Sequence, residues 1–196
     1  MAAAAGVFFG LWLQRPLQIA AVFPSSTHLA DAMAGLADWQ QRPGTVLDLG
    51  AGTGSLTRGL IRGGCPPSRI LAIERETRLV SLLQRDIPGI EAVEADATRI
   101  AEVLDARGID RLAAVISGLP VKWFSVEAQR AVVMPCLERL GPGGRFVQLT
   151  NAFCSPLATE PLGIAGHEAR RIWRNLPPAQ IWSYSARGDA GREARP

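Results

Sequence analysis

The chain has 196 residues, enough for one domain with a full core and too few for two ordinary ones. At 47% hydrophobic, 20% charged and a net charge of +3, it reads as globular rather than disordered, and its basicity is too weak to name a nucleic-acid or membrane partner. Three cysteines without metal spacing or a disulfide framework, and only two histidines (His28 and His167), point to a reducing compartment and to chemistry without a metal.

The first element is "GVFFGLWLQRPLQIAAVFPSS". No charged side chain precedes Arg15, and Phe8, Phe9 and Trp12 crowd together. The run is too short to span a bilayer, which takes about 20 apolar residues. It also lacks the basic start and the cleavage site of a signal peptide. A helix apolar almost all round is either a core helix or one that docks in a membrane interface, with Trp12 at headgroup depth and Arg15 beside an anionic phosphate. Ser25 and Ser26 follow, and Ser26 or Thr27 can cap the helix expected in "STHLADAMAGLADW".

From there the spacing predicts strands alternating with helices. "TVLDLG" is a buried strand, "SLTRGLIRGG" a helix stopped by glycines, "RILAIER" a strand, "TRLVSLLQRDI" a helix and "IEAVEAD" a strand. "TRIAEVLDARG" is helical, "LAAVISGL" a strand, "SVEAQRAVVMPCLERL" a helix and "GRFVQLT" a strand. This alternation is the signature of an α/β, Rossmann-like fold, a mostly parallel sheet with helices on both faces. "EARRIWRN" and "QIWSYSA", on either side of "LPPA", predict an antiparallel hairpin at one sheet edge. In "EARRIWRN", Arg170, Arg171 and Arg174 surround Trp173, on what is either a solvated edge strand or a phosphate contact. The polar tail, residues 187–196, is expected to fray.

The chemistry concentrates in "VLDLGAGTGSLTRGL". Gly50, Gly52 and Gly54 follow a buried strand and open a helix, so a ligand can approach the backbone in front of a helix N-terminus. The spacing is G-x-G-x-G, whereas a dinucleotide fingerprint would need glycine where Ser55 stands. Asp48 precedes the loop. Glu74 ends the second strand, where an acid takes ribose hydroxyls, and Asp96, followed by Ala97, ends the third, where it would face an adenine amino group. Three acids at successive strand ends favour S-adenosylmethionine (SAM), with S-adenosylhomocysteine as its product, over NAD. Ser25 and Ser26 either bond the methionine carboxylate of SAM or cap the next helix, and both roles are compatible.

The fourth strand ends in "SGLPVKWFS". Ser117, Gly118, Leu119 and Pro120 stand where amino-group methyltransferases hold a polar-x-Pro loop that orients the acceptor nitrogen, with Trp123 and Phe124 as walls. A plain turn with two core aromatics is the alternative. Tyr184, on the last strand, is a weak candidate base.

Over residues 9–186 the chain resembles the bacterial phospholipid N-methyltransferases, the class I enzymes that methylate phosphatidylethanolamine. The resemblance rests on "WLQRPLQIAAVFPSS", "LDLGAGTG", "AIE", "EADA", "SGLP", "GGRFVQLT", the Ser155-Pro156 pair and "NLPPAQIWSY". The chain departs from the family's pattern at Ala51, at Val121 to Phe124 after the fourth strand, and at Asn151, Ala152 and Phe153 after the fifth. The resemblance implies a seven-stranded class I fold. It implies SAM-dependent methylation of phosphatidylethanolamine, and of its partly methylated forms towards phosphatidylcholine. It also implies a docking and lid segment over residues 1–36 and a SAM domain over 37–186. A monomer is expected in the cytoplasm, at the inner face of the cell membrane, with a phospholipid substrate, an anionic membrane surface and no nucleic acid as partners. The alternative is a more distant resemblance, to the ribosomal RNA adenine dimethyltransferases. Those prefer Asn at the position of Ser117 and add a basic C-terminal domain, which this chain is too short to carry.

Overall fold

The computed structural model describes residues 27–152, 154–173 and 178–187. In chain order the elements are α1 (Thr27–Leu36), β1 (Thr45–Leu49), α2 (Ser55–Arg62), β2 (Ile70–Glu74), α3 (Thr77–Asp86), β3 (Glu91–Glu94), α4 (Ile100–Asp105), β4 (Leu112–Ser117), α5 (Val126–Leu140), β5 (Phe146–Thr150), α6 (Thr159–Leu162), β6 (Ile164–Ile172) and β7 (Ala179–Ala186). The strands form one sheet in the order β3-β2-β1-β4-β5-β7-β6. The first five are parallel, and β7 is antiparallel to both β5 and β6. This is the Rossmann-like α/β arrangement that the alternation predicts, with the hairpin at one edge.

Period-two alternation sends neighbouring residues to opposite faces. Leu47, Leu49, Val115, Phe146 and Tyr184 pack in one core layer with α4, α5 and α6. Val46, Ala114, Ile116, Val147 and Ile181 pack in the other with α1 and α2. Strand β4 is buried along its whole length, as expected of a central strand covered on both faces.

Three local outcomes differ from the sequence reading. Helix α1 buries Leu29, Ala30, Met33 and Ala34 in the core that α2 shares, so residues from Thr27 onward belong to the body of the domain. The docking expectation therefore rests on residues before Thr27, and Phe8, Trp12, Arg15, Ser25 and Ser26 lie outside the described residues. The helix expected from Thr98 opens as a 3-10 turn, Ala97–Arg99, because the Asp96 carboxylate accepts the Thr98 N–H at 2.9 Å and tightens the start. Strand β6 begins at Ile164, earlier than its apolar pattern suggested, and a register shift between Glu168 and Arg170 breaks its alternation.

The strand order places β1 between β2 and β4, so the loops after these strands meet. Gly50 has a φ of +71°, and a Cβ there would lie 2.6 Å from Leu119 Cδ2. Gly118 differs: its φ is ordinary, and its nearest neighbours to a new Cβ are 3.4 and 3.5 Å away. Gly50→Ala should therefore destabilise the fold by about 1–3 kcal/mol. Gly118→Ala should stay within about 0.5 kcal/mol of wild type. Thermal melts of the two variants check the contrast; equal losses would show that this loop contact is not tight.

Candidate active site

The carboxyl ends of β1 to β4 converge on one edge of the sheet, where open α/β folds bind ligands. Gly50, Gly52 and Gly54 all take positive φ, of +71°, +57° and +85°. A Cβ at Gly54 would strike Ile87 and Leu83, whereas one at Gly52 would meet nothing closer than 3.9 Å. The loop is thus pinned at both ends and open at its middle, which is a fit for a ligand that presses on the backbone.

Glu74, half-buried at the end of β2, holds this loop in place. Its Oε2 accepts the Gly52 N–H at 2.9 Å, and its Oε1 accepts the N–H groups of Arg75 at 2.7 Å and Glu76 at 3.0 Å. Gripping a ribose diol with both oxygens requires exchanging some of these bonds. Asp96 is exposed, and its Oδ1 takes both the N–H and the hydroxyl of Thr98. That fixes the carboxylate and turns Oδ2 away from the bonded pair. Ala97 is buried behind it.

Asp48 sits beneath the loop, fully buried, and accepts the Thr57 hydroxyl of α2 at 2.6 Å. Burial and, secondarily, the nearby Glu74 charge push its pKa up to about 7, although the Thr57 bond pulls the other way. Its other oxygen has no hydrogen-bond partner among the described residues. Asp48 is a support for the loop from below, and Thr57, which no sequence motif marks, completes that support.

After β4 the backbone turns sharply. Pro120 has φ −78° and ψ 54°, and the Val121 N–H bonds the Leu119 carbonyl at 2.8 Å, forming an inverse γ-turn. Ser117 is fully buried, and its Oγ accepts the Leu119 N–H at 3.3 Å. Gly118 and Trp123 are exposed. Phe124 packs partly buried against the core. The structure therefore separates the two aromatics: Trp123 faces outward and Phe124 inward.

Tyr184 does not stand as a base. It is buried in the core, and its hydroxyl lies 2.9 Å from Ser155 Oγ, which itself donates to the Leu157 carbonyl. The phenol is thus the donor, and burial raises its pKa to about 12, opposite to what a base near neutral pH needs. Two buried glutamines that no sequence motif marks stand on the neighbouring strands: Gln148 on β5, which reaches the Leu119 carbonyl, and Gln180 on β7. Their signal was present: each is a polar residue at an inward-facing position of an apolar strand.

Fold and site together define a class I SAM-dependent methyltransferase, and SAM is its cofactor. Solved structures of like fold include TrmN of Thermus thermophilus, at 22% identity and TM-score 0.59, covering 82% of this chain and 48% of TrmN. The chain thus spans about half the length of TrmN. A TehB-like SAM-dependent methyltransferase of Corynebacterium glutamicum matches at 14% identity and TM-score 0.55, over 95% of this chain and all of that one. No family model matches the chain. The ornithine lipid N-methyltransferase of Singulisphaera acidiphila is 31% identical over 148 residues, 74% of this chain and 77% of that protein. The chain belongs to the methyltransferase family of that protein. Among the described residues there is no cluster that would hold a metal ion, and no helix long and apolar enough to cross a membrane.

The buried acid makes stability depend on pH with a definite sign. Asp48 titrates near 3.9 when unfolded and near 7 when folded, so the folded state holds the extra proton between these values. Its contribution is complete below about pH 4 and is lost as pH rises towards 7. Asp48→Asn should flatten the fall in melting temperature over that window; an unchanged slope would show that Asp48 is ionised throughout.

Proposed function

We propose that this chain transfers methyl groups from SAM to the amine of a membrane-lipid headgroup. The family relation to a lipid N-methyltransferase carries this reading, and the short turn at Pro120 beside the glycine loop supports it. Phosphatidylethanolamine is the acceptor favoured by the resemblance of the first and last sequence stretches. Ornithine lipid is the second reading, favoured by the 31% identical relative.

SAM, when bound, supplies an electrophilic methyl on a sulfonium. The chain's part is to hold, orient and exclude water. In this reading Gly50, Gly52 and Gly54 admit the cofactor, Glu74 exchanges the Gly52 N–H for ribose hydroxyls, and Asp96 meets the adenine edge. Ser25 and Ser26 bond the methionine carboxylate. The acceptor amine must be neutral to attack, and burial against Leu119, Val121 and Phe124 disfavours its ammonium form. Rate enhancement then comes chiefly from positioning and desolvation.

A lipid headgroup must be met at a bilayer. Trp123 and Trp173 are the exposed large hydrophobic side chains among the described residues, at 42% and 66%. Trp123 follows β4, and Trp173 follows β6 where Ile172 pairs with Ala179, so both lie on the sheet edge that carries the loops. The Arg171 guanidinium lies 5.4 Å from the centre of the Trp173 ring, a cation beside an interfacial aromatic. In this reading the apolar run around Phe8 and Trp12 adds the main anchor, with Arg15 at the phosphate level.

Labelled SAM is given to the full chain with phosphatidylethanolamine vesicles, ornithine lipid vesicles and ribosomal RNA in parallel. Label should enter lipid and not RNA. Replacing Phe8, Leu11 and Trp12 together by Ser should remove most activity on vesicles and leave S-adenosylhomocysteine binding unchanged. Label in RNA alone would move the chain to the nucleic-acid enzymes.

A further inference from the structure

Three glutamines are buried around the turn that follows β4: Gln129, Gln148 and Gln180. Gln129, on α5, is complete. Its Nε2 donates to the Val121 and Phe124 carbonyls at 3.0 and 3.4 Å, and its Oε1 accepts the Ala158 N–H at 2.8 Å. It is a structural brace. The other two are each half satisfied, and in opposite senses.

Gln148 is fully buried on β5, paired with Ser117. Its Nε2 donates to the Leu119 carbonyl at 2.8 Å and to the Leu149 carbonyl at 2.7 Å. Those two acceptors fix the amide orientation, so the group left without a partner among the described residues is an acceptor, Oε1. Gln180 is 2% exposed on β7, opposite Thr150. Its Oε1 accepts the Trp182 indole N–H at 3.1 Å. Indole can only donate, so that amide is fixed too, and the group left over is a donor, Nε2. Gln148 pairs with Trp182 and Gln180 with Thr150, so the two glutamines are diagonal neighbours on one face of adjacent strands.

Buried polar atoms are almost always paired, and two complementary exceptions side by side call for a ligand with one donor and one acceptor. We infer that Gln148 and Gln180 form the headgroup subsite of the acceptor lipid: Gln148 Oε1 accepts an N–H of the amine, and Gln180 Nε2 donates to an anionic oxygen of the same headgroup. The inference rests on the lipid-amine reading above and adds its specificity. An amine with a nearby phosphate oxygen and an amine with a nearby carboxylate share this chemistry. The Gln148 amide is tied to the Leu119 carbonyl, which joins the subsite to the turn beside the glycine loop. Gly118, next in the chain to the Leu119 whose carbonyl Gln148 holds, is exposed and is the side from which a headgroup would have to enter.

The test uses the full chain and phosphatidylglycerol vesicles doped with phosphatidylethanolamine, ornithine lipid or a long-chain alkylamine that has no anionic group. Gln180→Glu keeps the volume and the acceptor for Trp182 but replaces the donor by an acceptor. It should raise KM at least tenfold for whichever zwitterionic lipid is the substrate, without raising KM for the alkylamine, and leave S-adenosylhomocysteine binding unchanged. Gln148→Met should lower kcat on every lipid that the wild type methylates. Should Gln148→Met fold poorly in a thermal melt, Gln180→Glu alone decides. If Gln180→Glu changes all lipids alike, or lowers the melting temperature with no change in KM, the two amides bridge an internal water and the subsite is rejected. If the wild type methylates no lipid at all, the lipid-amine reading falls and the subsite with it.

Discussion

The contact between Gly50 and Leu119 is the constraint on which the rest of the site depends. Strands β1 and β4 are neighbours, so the glycine loop after one and the Pro120 turn after the other must share a small volume. Only a residue without Cβ, in a left-handed conformation, allows the Leu119 side chain to lie where it does. The Gly118 N–H then bonds the Leu49 carbonyl at 3.0 Å, and the Gly50 N–H bonds the Ile73 carbonyl at 2.9 Å. Three successive loops are thereby tied edge to edge. In the proposed reading a cofactor on the first loop would lie beside an acceptor at the last, so proximity would be built into the strand order rather than into any single side chain.

The two faces of the sheet divide the work beneath these loops. On the face covered by α1 and α2, Asp48 and Thr57 support the glycine loop with one short buried bond. On the opposite face Ser117, Gln148 and Gln180 place neutral polar groups near the Pro120 turn. The division suits the proposed amine chemistry. A carboxylate below the acceptor would stabilise the ammonium form and oppose attack, whereas amides can orient an amine without holding its proton.

Much of this architecture was legible in the sequence because its signals are local. The run from Val46 to Leu49 closed by glycines, the Ser125 cap of α5 and the antiparallel pairing of β6 with β7 each announce themselves within a few residues. Glu74 and Asp96 were legible as strand-end acids. What escaped depends on tertiary neighbours. Nothing near Tyr184 in sequence reveals that Ser155 and Leu157 enclose its hydroxyl, which turns a candidate base into a core donor. Thr57 acquires its role only because α2 crosses above Asp48. Gln148 and Gln180 are 32 positions apart in the chain and meet because β7 returns antiparallel beside β5. Helix α1 read as part of a membrane segment because its apolar residues suit either a core or an interface, and its packing against α2 makes it core.

The proposed site is a single one, with cofactor on the loops after β1 to β3 and a lipid amine at the turn after β4. Hydrogen–deuterium exchange on the full chain tests it most directly, with S-adenosylhomocysteine added first and amine-lipid vesicles second. S-adenosylhomocysteine should slow exchange over the second half of the glycine loop and the start of α2, residues 53–56, and around Thr98, and vesicles should then slow it further over residues 118–124. Protection by S-adenosylhomocysteine confined to β6 and β7, with none at the glycine loop, would contradict this reading.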